Sequence, residues 1–298
     1  MDSRVDRRAF LTYGAAATAA AAATLAAGCA THGAALKVSP GRRSKAVQLG
    51  MLPKDLPNEE KFALAKACGF QGMEAYPMGD LEAARQLGEQ ARQAGVPIHS
   101  ICAGGWKTPF SDPDPAVIEQ GHQAMETALR SAKAMGANAV LLVPAVVNAK
   151  VRYCAAYERS QANIRPLLPL AEELGVVIAV ENVWNNFLLS PIEFARYVDE
   201  FRSPWLRAYF DVGNVVKFGW PQDWIRTLGH RIVKVHLKDY SRKEHRFTPL
   251  GEGDVDWAEV TRAFDEIGYQ GYMTTELAGG DEAYLRGLSE TIKALTGV

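Results

Sequence analysis

The amino-acid sequence predicts an α/β protein built as a single (β/α)8 TIM barrel. Three observations predict it. Short apolar runs alternate eight times with longer amphipathic ones between residues 46 and 295. A glycine closes many of the amphipathic runs just before the next apolar run begins. Roughly 255 residues follow position 44, the usual size of a barrel that folds as one domain.

Taken in order, strands are expected at 46–51, 70–75, 96–102, 138–144, 176–182, 206–211, 231–237 and 271–276. The intervening helices are expected at 59–68, 80–94, 115–135, 155–174, 191–200, 221–228, 256–267 and 281–295. Gly69, Gly95, Gly136, Gly175 and Gly268 stand where a helix must stop, because glycine tolerates the positive φ of that position. Crossovers long enough to hold a helix imply parallel strands. Eight such units close on themselves, and no G-x-G-x-x-G follows the first strand to favour an open dinucleotide-binding sheet.

Residues 1–35 differ from the rest and read as an export signal, leaving 36–298 for the barrel. Arg7 and Arg8 precede Phe10 and Leu11, and an uncharged, alanine-rich stretch runs from Gly14 to Gly28. A basic start, a modestly apolar middle and small residues near the end make a signal peptide, and the paired arginines point to the twin-arginine (Tat) machinery as a partner. The stretch falls short of the ~20 strongly apolar residues that span a bilayer. Leu-Ala-Ala-Gly-Cys at its end resembles a lipobox, which would make Cys29 a lipid anchor; cleavage at a nearby small residue without lipidation is the rival. A periplasmic enzyme or a membrane-anchored lipoprotein is the expected destination.

A formal net charge of -1 gives no basic face for nucleic acid or an anionic membrane. The four cysteines (Cys29, Cys68, Cys102, Cys154) form no C-x-x-C pair and no disulfide framework. Cys68 and Cys154 are expected to be small core hydrophobes.

In such barrels chemistry sits where strands end. The expected strand ends carry Glu74, then Glu181-Asn182, Asp211, His236 and Glu276, while His99 lies within the third strand. Strands five to eight thus bring Glu, Asp, His and Glu to one rim. Three carboxylates and an imidazole there would repel and resist desolvation without a cation between them. Three oxygen donors and one nitrogen suit Mn2+ first, with Mg2+, Co2+ or Zn2+ as alternatives. Around them, His99, Glu74, Trp106, Lys107, Trp184 and Lys238 are candidates for substrate contact. His99 could equally be a satisfied core residue, Trp184 and Trp220 packing residues, and Glu74 half of a salt bridge. Lys243 and Arg246 read as a solvated loop. The turn Gly251-Glu252-Gly253 either cradles a phosphate or only shapes its loop.

The runs Glu181-Asn182-Val183-Trp184, Phe210-Asp211-Val212-Gly213-Asn214, Val235-His236-Leu237-Lys238-Asp239, Leu250-Gly251-Glu252-Gly253-Asp254-Val255-Asp256-Trp257 and Thr275-Glu276 resemble the xylose-isomerase-like sugar isomerase/epimerase superfamily. The resemblance covers 46–298. In its ketose 3-epimerase members, metal ligands fall at the positions of Glu181, Asp211, His236 and Glu276, with Glu181 and Glu276 also the acid/base pair. Asn182, in the first of the matching motifs and at the rim, is a further candidate for substrate contact. It also implies substrate contact by Arg242, six residues after His236. Asn214 departs from the pattern, since the family's epimerases carry histidine three residues after the metal aspartate. Dimers or tetramers are common in the superfamily, so a homo-oligomer is a further expectation of the resemblance.

The function this implies is a metal-dependent isomerase or epimerase of a free sugar or sugar derivative, moving a proton next to a carbonyl through an enediolate. A lyase that eliminates the aglycone of 3-keto-glycosides would use the same centre. A non-catalytic exported sugar-binding protein is the reading outside enzymology. A nuclease of the same barrel class would need more rim histidines than His99 and His236.

Overall fold

The computed structural model describes residues 43–298, so the expected export segment and Cys29 lie outside the described residues. The described residues form one compact unit. Its strands are β1 (Arg43–Gln48), β2 (Gly72–Ala75), β3 (Ile98–Gly104), β4 (Ala139–Leu142), β5 (Val177–Glu181), β6 (Leu206–Asp211), β7 (Ile232–Leu237), β8 (Asp239–Ser241), β9 (Arg246–Thr248) and β10 (Gly271–Thr275). Eight of them close a parallel barrel in the order β1-β10-β7-β6-β5-β4-β3-β2, while β8 and β9 pair antiparallel beside it.

The expected helix stops hold: Gly69, Gly95, Gly136, Gly175 and Gly268 all have positive φ, between 66° and 91°. Helix starts are equally local. Asp80, Asp114, Ser190, Asp256 and Asp281 each accept a backbone N–H of the first turn that follows, satisfying donors that the helix itself cannot. Packed outside the barrel, Phe62, Phe70, Phe110, Phe194, Phe210 and Phe264 are fully or almost fully buried. The barrel interior is more polar: Gln48, Glu74, His99, Lys234, His236 and Thr274 are all buried.

Four expectations need correction. The first strand runs 43–48 rather than 46–51, because Arg43 and Lys45 find partners that allow charged residues into it. Arg43 pairs with Asp265 at 3.0 Å, and Lys45 Nζ donates to Ser289 Oγ at 2.8 Å. The helix expected at 155–174 is two helices, Tyr153–Ile164 and Leu168–Leu174, joined by a 3-10 turn at Arg165–Leu167. Pro166 and Pro169 lack the N–H that would continue it. Arg246 belongs to the β8–β9 hairpin, not to a free loop. Cys154 is exposed on the first of those two helices, so only Cys68 is a buried cysteine of the expected kind.

Candidate active site at the barrel mouth

Asp211 and His236 lie side by side, partnered in register across β6 and β7. Glu181 ends β5 and Glu276 follows β10, so the parallel register delivers all four to the same end of the barrel. One ligand atom from each of Glu181, Asp211, His236 and Glu276 can be chosen so that all lie within 4.8 Å of one another. His236 Nδ1 stands 3.0 Å from both Glu181 Oε1 and Glu276 Oε2. Asp211 Oδ2 and Glu276 Oε2 are buried without a hydrogen-bond partner. Lys238 Nζ is within ion-pairing distance of both, at 3.1 and 2.5 Å, without meeting hydrogen-bond geometry. Two orphaned carboxylate oxygens converging on an imidazole nitrogen are what a hard or borderline divalent ion would satisfy, and the residues fit one.

A shell of neutral side chains aims these groups. Asn182 donates to the Asp211 carbonyl at 2.8 Å and accepts from the Asp211 N–H at 2.9 Å. Asn214 N–H donates to Asp211 Oδ1 at 2.6 Å, leaving Oδ2 to face the centre. Asn214 Nδ2 in turn holds the Asn182 carbonyl at 3.0 Å. On the far side of the imidazole, His236 Nε2 is 2.9 Å from Glu74 Oε1. Glu74 also accepts from Gln48 Nε2 at 2.8 Å and from the Tyr209 hydroxyl at 2.6 Å. Fully buried Glu74 is therefore placed to fix the orientation of His236, the usual outer partner of a metal-binding histidine.

Burial and charge push the two rim glutamates apart. Burial raises the Glu181 carboxyl to about 7, against the pull of His236. Burial would also raise Glu276, but His236 and Lys238 beside it win and hold it well below the usual carboxylate range. Lys238 shows the converse. Burial works against its charge, yet Asp211, Glu181 and Glu276 hold the ammonium firmly protonated. Two carboxylates with opposed proton affinities beside a fixed cation can take and return a proton.

The other expected contacts are less uniform. Trp106 is exposed on the loop after β3 and, with Lys107, lines a cleft of about 700 Å³. Trp184 is half-exposed at the mouth, stacked on Phe247 with ring centroids 4.8 Å apart, and its Nε1 donates to the Asn214 carbonyl at 2.9 Å. His99 lies deeper, stacked on Tyr272 at 4.1 Å with Nε2 3.0 Å from Thr274 Oγ1. Arg242 gives its guanidinium to the Val216 and Gly219 carbonyls, at 2.8 and 2.7 Å, and covers Trp220. The Gly251–Gly253 turn wraps the carboxylate of Asp239. Gly251 N–H donates to Asp239 Oδ2 at 2.9 Å, and a Cβ on Gly253 would fall 2.1 Å from Asp239 Oδ1.

A model of the xylose isomerase-like TIM barrel family matches residues 62–295. The chain belongs to this family. SgbU of Escherichia coli (strain K12), provisionally named an L-ribulose-5-phosphate 3-epimerase, is 29% identical over 252 residues, covering 77% of this chain and 88% of the relative. An inosose dehydratase of Clostridium perfringens (strain 13 / Type A) is 26% identical over 145 residues, 42% of this chain and 48% of that one. Among solved structures, a D-psicose 3-epimerase crystallised in the presence of D-fructose superposes with a TM-score of 0.72 at 15% identity, covering 86% of this chain and 100% of that chain. At that identity the superposition speaks for the fold.

Sequence reasoning missed three members of the site. Tyr209 is two residues before Asp211 on one strand and so shares its face, a signal that was available. Gln48, a polar residue ending an apolar strand and paired in register with Glu74, was another. Phe247 carried no signal, because its role depends on the hairpin that places it against Trp184.

Proposed function

We propose that this protein is a divalent-metal-dependent sugar isomerase or epimerase that moves a proton next to a carbonyl. The observation that carries the reading is the convergence of Glu181, Asp211, His236 and Glu276 within 4.8 Å at the barrel mouth, with two buried carboxylate oxygens that make no hydrogen bond. Those four residues would hold the ion, Mn2+ by preference, whose chemistry is to polarise a carbonyl and favour the enediolate. Glu181 and Glu276 approach from different strands and serve as the proton carriers, one taking the proton and the other returning it. Trp184 and Phe247 form an aromatic wall for an apolar sugar face. The epimerase name of a relative sharing most of this chain's length supports the same class of reaction.

A second reading is β-elimination at the same centre, favoured by the match to a protein named a dehydratase. Mn2+-loaded full-length protein incubated with ketohexoses and 3-keto-glucosides in D2O, followed by NMR, separates the two. Deuterium entering an intact sugar skeleton supports the epimerase. Aglycone release with an unsaturated keto-sugar moves the assignment to the lyase. Glu276→Gln is expected to lower the exchange rate by about 10²–10⁴-fold; a wild-type rate in that variant would remove Glu276 as a proton carrier.

Export by the twin-arginine route, with lipidation at Cys29 or cleavage beside it, is part of the same proposal. Replacing Arg7 and Arg8 with lysine should retain the protein in the cytoplasmic fraction. Unchanged periplasmic recovery would rule the route out.

A further inference from the structure

Three carboxylates and one imidazole make up the centre. With His236 neutral, a divalent ion would leave one of the three negative charges unbalanced, and an uncompensated buried charge is expensive. Lys238 supplies the missing positive charge. It lies two residues after His236 and sends Nζ to 2.5 Å from Glu276 Oε2 and 3.1 Å from Asp211 Oδ2.

The fold makes room for this lysine. The short helix Val212–Val216 packs so closely on residue 238 that a Cβ on Gly213 would lie 2.5 Å from Lys238 Cβ and 2.8 Å from its carbonyl carbon. Lys238 and Glu276 together line a cleft of about 490 Å³ at the mouth, walled by Phe247, Pro249 and Tyr284. Nζ is 5.6 Å from the centre of the Phe247 ring. Neighbouring cations are committed elsewhere: Arg242 to two backbone carbonyls, and Lys217 to the Trp184 ring at 4.4 Å.

We propose that Lys238 is a catalytic residue, an electrophile whose ammonium donates a hydrogen bond to the substrate oxygen next to the carbon that Glu276 serves. This rests on the proton-transfer reading of the centre. The substrate class is then an α-hydroxy ketone, whether a free ketose or a keto-glycoside. As a carboxylate takes the proton, the C–H electron pair becomes the carbon–carbon double bond and the carbonyl pair moves onto oxygen. Lys238 holds that oxygen and keeps its own proton. When carbon takes a proton back, the oxygen pair reforms the carbonyl and the ammonium is unchanged.

The test compares Lys238→Met and Lys238→Gln with wild type in the full-length protein, by two measurements. The first is Mn2+ binding by calorimetry without any sugar. The second is substrate C–H exchange in D2O. Removing a cation from between two ligands should tighten Mn2+ binding at least tenfold, with one ion per chain showing that the variant has folded. Exchange under saturating Mn2+ should fall by about 10²–10³ in kcat, as for loss of an oxyanion donor, with KM changed far less. Exchange within threefold of wild type overturns the proposal. So does weakened Mn2+ binding in both variants, which would make Lys238 a support for the ligands. If wild type exchanges no sugar, the proton-transfer reading fails visibly in the parent protein. Unchanged Mn2+ affinity in the variants would still reject the charge-balancing role by itself.

Discussion

At the scale of single residues, the site is governed by partners that hold the candidate metal ligands in one orientation. Glu74 is the clearest case. Its carboxylate meets His236 Nε2, Gln48 Nε2 and the Tyr209 hydroxyl. Glu74→Gln is therefore expected to weaken Mn2+ binding about 10–100-fold with the fold intact, as loss of an outer partner to a metal-binding histidine does. Calorimetry checks it, and unchanged affinity would show that His236 is oriented by packing alone. Asp211, His236 and the two rim glutamates were legible from sequence because strand ends in a barrel point to one rim. Arg242 and Asn182 show the limit of that reading. Its place at a strand end puts Asn182 at the rim, and the family resemblance puts Arg242 beside it, but whether a side chain faces substrate or backbone depends on nearby carbonyls, and those are set by tertiary packing.

At the scale of elements, the strands and helices were readable because local rules agree: glycine at helix ends and alternation of short apolar runs with longer amphipathic ones. The β8–β9 hairpin was not, since its register comes from Asp239. That buried carboxylate accepts from the N–H groups of Tyr240, Gly251 and Val255 and from Trp257 Nε1. Asp239→Ala leaves these donors without a partner and should destabilise the protein by at least about 2 kcal/mol in urea unfolding. Faster proteolysis between residues 243 and 252 should accompany it; cleavage as slow as in wild type would show that the loop is held otherwise. A second prediction concerns the helix Pro191–Glu200. Its Asp199 receives two hydrogen bonds from Arg231, at 2.7 and 2.6 Å, which hold the carboxyl below its ordinary value. A lowered folded pKa gives stability that is present above the unfolded value of about 3.9 and lost as pH falls through the folded one. Because Asp199 is about half exposed, the pair is worth at most about 1 kcal/mol. Asp199→Asn should thus flatten the fall in melting temperature below about pH 5 slightly, and an identical pH profile would show the pair contributes nothing.

At the scale of the whole molecule, barrel closure and the candidate metal centre are the same event. The first strand pairs with the last, Arg43↔Gly271 through Val47↔Thr275, and that pairing carries the chain directly into Glu276. No ligand set exists until β5, β6, β7 and β10 share one register, so an ion that binds the four residues binds only the folded state. Linkage then fixes the sign: Mn2+ must stabilise, by about 2.7 kcal/mol at a free concentration one hundred times its Kd. For a domain of this size that corresponds to a rise in Tm of roughly 5–10 °C, taking about 2–4 °C per kcal/mol. Chelation should reverse the shift fully. His236→Ala should abolish the Mn2+ dependence, while its own metal-free Tm reports only the loss of the buried imidazole. A Tm indifferent to Mn2+ in wild type would mean that the four side chains, although brought together, hold no ion, and the proton-transfer reading would fall with them.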